Sequence, residues 1–162
     1  MIDNIKKKIA VMSLMFVSVA AISNAWANDV TTISFEVVND TSSALIMNSS
    51  SWDRSLAAPG YFDVGPLSEH SFAANYSTNF TYPSKKPRYL RETLSYTNGE
   101  QECTYSVVLK VVQSFGVFSP TLSATREVYA ASTGTKEAHC YAEVVEYDDS
   151  SPFDFSVEYR IS

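Results

Sequence analysis

The chain has 162 residues, with 12 Lys and Arg against 18 Asp and Glu and a formal net charge of −6. That acidity excludes general nucleic-acid binding, which relies on a basic surface to displace counterions from phosphates. The sequence has only two histidines, and no G-x-S-x-G elbow, H-E-x-x-H pair or P-loop, so the common hydrolytic and nucleotide-dependent chemistries lack their usual residues.

Residues 1–27 read as an address rather than as structure. Lys6, Lys7 and Lys8 give a basic start, residues 9–22 form an apolar run, and Ser23-Asn24-Ala25-Trp26-Ala27 supplies small residues at the cleavage-determining positions. The run of about 14 residues is short of the roughly 20 needed to cross a bilayer as a helix, so a cleavable secretory signal is expected rather than an anchor. Cleavage is expected between Ala27 and Asn28, and without Cys at position 28 nothing points to a lipid there. Residues 28–162 then form one domain, long enough to bury a core without metals. Loss of Asp3 and the three lysines leaves its net charge at about −8. The compact Ala-x-Ala signal is of bacterial type, and the expected location is the periplasm or the medium.

In chain order, period-two alternation and turn residues predict strands at 32–38, 43–49, 61–64 and 71–77. Asn39-Asp40, Pro59-Gly60 and Gly65-Pro66 supply the turns between them. Strands at 89–97 and 100–112 flank Asn98-Gly99, a pair suited to a two-residue type I′ turn. Counting outward from that turn pairs Leu94 with Cys103 and Leu90 with Val107, and sets Cys103 on the inward face. A strand at 121–130 follows, then Gly134. A hairpin of 137–147 and 153–161 is expected around Asp148-Asp149-Ser150-Ser151-Pro152. The last strand is the clearest, with Phe153, Phe155, Val157, Tyr159 and Ile161 on one face and Asp154, Ser156, Glu158 and Arg160 on the other. No segment after the signal has helical spacing with caps. The fold class is therefore all-β, a single antiparallel sandwich of eight or nine short strands. A small outer-membrane barrel is the competing architecture, but several runs are too short or too polar on both faces for it.

Cys103 and Cys140 are the only cysteines, and in an oxidising compartment they are expected to pair as a disulfide. His70 lies in a polar segment and reads as a solvated turn residue, and His139 points away from Cys140. The acidic group Glu143, Glu146, Asp148, Asp149 and Asp154 carries oxygens of the kind calcium takes, but the spacing is not that of an EF-hand, and a solvated acidic face is the expectation.

Two connections stand out as candidate contacts with a ligand or membrane. The stretch 75–91 gathers Tyr76, Phe80 and Tyr82 with the basic Lys85, Lys86, Arg88 and Arg91 inside an otherwise acidic protein. Rings with polar tips suit a membrane interface, and cations beside them suit phosphate headgroups. The stretch 114–120 carries Phe115 and Phe118 together with Gly116 and Pro120. Trp52 reads as a lid on the core.

Residues 33–72 loosely resemble the opening of the aegerolysin-like and related small cytolysin-type β-sandwich proteins. The order shared is a strand ending in Val38-Asn39, a Thr41-Ser42-Ser43 turn, an apolar strand at 44–47 and Trp52. A run near Tyr61, then Gly65-Pro66-Leu67-Ser68 leading to Phe72, completes it. The resemblance implies lipid or membrane recognition, with a partner protein for pore formation. No binding residues carry over, because residues beyond 72 show no specific match. The expected function is that of an exported, non-catalytic binding protein that recognises a membrane surface or lipid and needs no cofactor or metal. The alternative is a periplasmic or extracellular protein-interaction module, such as an inhibitor, adhesin component or accessory subunit.

Overall fold

The structure is a computed structural model and describes residues 29–78, 80, 86–116 and 120–162. The expected signal peptide lies outside them. Among the described residues there are eight strands and no helix. The strands are β1 (Asp29–Asn39), β2 (Ile46–Ser50), β3 (Ser68–Thr78), β4 (Arg88–Thr97), β5 (Glu102–Phe115), β6 (Pro120–Ser132), β7 (Cys140–Tyr147) and β8 (Phe155–Ile161). They form two four-stranded sheets, ordered β3-β1-β8-β7 and β2-β4-β5-β6. The architecture is two sheets rather than a closed barrel.

Alternation decides which side chains enter the space between the sheets. Ile33, Phe35 and Val37 of β1 and Phe155, Val157, Tyr159 and Ile161 of β8 face Leu94 and Tyr96 of β4 and Tyr105, Val107 and Leu109 of β5, all of them buried. The rings of Tyr105 and Tyr159 stack across the gap with centroids 4.4 Å apart, an arrangement that adds to the area both rings bury. The open side between β2 and β3 is closed by the segment after β2. There Trp52 lies against Phe35 and Phe72, and Phe62 packs edge-on to Phe72.

The expected disulfide is present. Cys103 of β5 and Cys140 of β7 are joined with their Cα atoms 5.7 Å apart, which ties one sheet to the other. Cys103 points inward, as its place in the alternation demands.

Four expectations need correction. The sheets are not wholly antiparallel, because β1 runs parallel to β8, with Ile33 opposite Phe155 and Val37 opposite Tyr159. That pairing joins distant parts of the chain and leaves no local turn signal. Residues 61–64 are not a strand. Turns at Pro59-Gly60, with Gly60 at φ 75°, bond Tyr61 N to Ala58 O and Asp63 N to Gly60 O, and only Val64 bridges to Leu45.

The connection at Asn98-Gly99 has four residues, not two. The Asn98 side-chain oxygen accepts from the backbone N–H groups of Glu100 and Gln101, and the first strand pair is Thr97 with Glu102. This is the Asx competition that asparagine brings to turns. Leu94 therefore pairs with Tyr105 and Leu90 with Leu109. A shift of two residues keeps every side chain on its face, so Cys103 stays inward, opposite Tyr96. Lastly, His70 is not in a turn. It belongs to β3 on the inward side, its ring against Phe72 and Tyr61, because that strand begins at Ser68.

Candidate functional site

Register sorts the connections onto two ends of the sandwich. At one end lie the start of β1, paired with the end of β3 at Asp29 and Thr78, and the start of β4 at Arg88. The end of β5, the start of β6 and the β7–β8 turn lie there too. The two connections singled out from sequence and the acidic turn therefore share one end, opposite the disulfide.

The β5–β6 hairpin extends past its neighbour. Arg88, the first residue of β4, sits opposite Val111, whereas β5 continues to Phe115, which pairs with Pro120. Four more residues of strand carry the ladder about 13 Å beyond β4. Phe115, near the tip, is 56% exposed. At the foot of this overhang Lys86 is exposed and Arg88 half-buried.

Two residues expected at the contact surface belong to the interior. Phe80 is only 4% exposed and meets the buried Phe153 edge to face, centroids 5.9 Å apart. It plugs the end of the core. Tyr76 continues the inward set of β3 after Phe72 and Ala74, and its hydroxyl is buried without a partner. Burial, and then the nearby Glu92 carboxylate, push the Tyr76 phenol well above its ordinary range, although no hydrogen bond of normal geometry joins the two. Tyr82, Lys85 and Phe118 lie outside the described residues.

The acidic turn uses its oxygens internally. Asp148 accepts from the backbone N–H and hydroxyl of Ser150 at 2.8 and 2.6 Å, and these bonds hold its carboxyl below the usual carboxylate range. Asp154 accepts from Thr32 N at 2.7 Å, and Asp149 pairs with Arg126 at 3.3 Å. Arg126 reaches across from β6, its guanidinium 4.8 Å from the centre of the Tyr147 ring. Beside the turn a groove of about 490 Å³ is lined by Thr32, Ser34, Tyr147, Asp154 and Ser156 among others. No group of three or more His, Cys, Asp or Glu among the described residues is placed to hold a metal ion.

Glu92 went unnoticed in the sequence although its position was readable. It follows Leu90 and precedes Leu94 and Tyr96 on the inward face of β4 and is only 7% exposed. The Ser51 hydroxyl donates to its carboxylate. His70 Nε2 and the Tyr159 hydroxyl are likewise buried without partners. His139 is exposed, and its backbone pairs with Ser162. No protein-family model matches the chain, and no curated protein matches it significantly.

Proposed function

We propose that the chain is an exported, non-catalytic β-sandwich protein that recognises a membrane surface or lipid with the end opposite its disulfide. The carrying observation is the overhanging β5–β6 hairpin with Phe115 exposed near its tip, beyond Arg88 at the start of β4 and Lys86 just before it. A phenylalanine buried in the acyl boundary contributes about 1.5–3 kcal/mol, and cations at headgroup level add attraction to lipid phosphates. Export is supported by the leader-like residues 1–27 and by the Cys103–Cys140 bridge, which suits an oxidising compartment. The resemblance of residues 33–72 to aegerolysin-like proteins points the same way.

Co-sedimentation with phosphatidylcholine–phosphatidylserine vesicles tests this reading. The purified protein is expected in the pellet. Phe115→Ser and a Lys85, Lys86 and Arg88 charge-removal variant are expected to stay in the supernatant. Equal partition of all three proteins would overturn the proposal.

A second reading, an exported protein-interaction module that works by strand pairing, is favoured by one observation, the unbroken eleven-residue edge of β3.

A further inference from the structure

Edge strands present unpaired backbone groups, and proteins normally blunt them with bulges, prolines, charges or a covering segment. Three of the four edges here are blunted. β2 has five residues and a register shift between Met47 and Ser49. β7 shifts between Val144 and Glu146. β6 starts with Pro120, and its Arg126 reaches over to the Asp148 carbonyl and Tyr147, closing the β6–β7 side.

β3 is different. It pairs with β1 over all eleven residues without a register shift and contains no proline. Among the described residues, the segment after β2 packs its rings on Phe72 and His70 of the inward face, but no backbone hydrogen bond covers the strand's other edge. Its outward side chains are small or neutral (Ser71, Ala73, Asn75, Ser77) apart from Glu69, the only acidic residue of the strand. Two buried polar atoms without partners, His70 Nε2 and the Tyr76 hydroxyl, lie on this strand, three residues either side of Ala73.

We infer that β3 is a homotypic docking edge: a second copy of this chain adds its own β3 antiparallel about a two-fold axis at Ala73, joining the two β3-β1-β8-β7 sheets into one of eight strands. The strand is self-complementary in that register. Ala73 meets Ala73 of the second copy, Ser71 meets Asn75, and Glu69 meets Ser77, so no like charges oppose one another. His70 of each copy comes directly opposite Tyr76 of the other, which brings an imidazole nitrogen and a phenol, each partnerless in the single chain, into one cross-strand pair. A two-fold interface needs just this kind of self-matching patch. A foreign strand would meet the edge without that symmetry. The inference does not depend on membrane recognition, which uses the β4–β6 end.

Sedimentation of the purified protein across a concentration series, with three outward-facing variants, tests it. A dimer is expected, and Ala73→Lys, which sets two ammonium groups against each other at the axis, is expected to weaken it about ten-fold or more. Ala73→Cys is expected to form a disulfide-linked dimer on mild oxidation. Ser71→Cys is not, because its cross-strand neighbour is Asn75. Melting curves of the variants, taken before oxidation and with the native disulfide intact, that match the wild type establish that each is folded. A protein monomeric at every concentration would overturn the inference. So would a dimer indifferent to Ala73→Lys, or equal crosslinking of Ala73→Cys and Ser71→Cys.

Discussion

The two ends of the sandwich are built differently. At the disulfide end almost every connection is bonded to its neighbours. The Asn39 side chain donates to Ser43 O and Gly65 O, both at 2.8 Å, and accepts from Thr41 N at 2.9 Å. Thr133 N and Lys136 N bond to Glu102 O and Glu100 O, and His139 and Ser162 exchange two backbone bonds. At the opposite end, closure rests on the edge-to-face pair Phe80 and Phe153 and on a turn that satisfies itself. The β5–β6 hairpin projects beyond that plug. One end therefore holds the fold together and leaves the other free to vary. Substitutions should divide between stability and binding according to the end they touch.

The largest effect should come from cutting the tie itself. Cys103→Ser with Cys140→Ser should cost about 4 kcal/mol, the loop-closure value for a bridge of this span, read as a lower urea midpoint that reductant no longer changes. Next comes alkaline pH. Burial raises the phenols of Tyr96, Tyr105 and Tyr159, all in this half of the core, far above their ordinary value. A raised folded-state value means that the stabilisation is complete below the unfolded value near 10 and disappears as pH climbs toward the folded ones. Stability should thus fall steeply above about pH 10, with the phenolate absorbance of these three rings appearing only as the protein unfolds. If they ionised in the folded state, this half of the core would not be closed to water.

Gly134 offers a smaller and more local test. A Cβ there would lie 2.5 Å from Glu102 N and 2.6 Å from Glu100 O, both backbone atoms, so Gly134→Ala should cost about 2 kcal/mol in thermal melting. The smallest effect should come from the free end. Phe115→Ser, at an exposed site, should change stability by no more than about 0.5 kcal/mol while removing vesicle binding. A large loss of stability there would mean that the hairpin is part of the fold's support.

What could be read from the sequence follows the reach of the interactions. β8 was legible because its alternation is complete from Phe153 to Ile161. The disulfide was legible because two cysteines allow one pairing. The four-residue loop at Asn98 was not, because the same asparagine that favours a tight turn can bond the two N–H groups that follow it. His70 was misplaced because Ser68 and Glu69 look like turn residues when nothing shows β1 lying beside them. Phe80 and Tyr76 read as surface residues for a similar reason. Whether a ring in a polar connection faces water or a core depends on Phe153 and Glu92, which are distant in sequence. The gathering of three connections at one end is a matter of register, visible only once the ladders are drawn.

The parallel pairing of β1 with β8 also fixes an order of events. β1 lies between β3 and β8, so the middle of its sheet consists of the earliest described strand and the latest. Sheet closure must wait until residue 161 is available, however early residues 29–39 are made. Contacts of such long sequence separation fold slowly. A single late stop codon that removes β8 would leave β1 with a bare side rather than a slightly shorter protein.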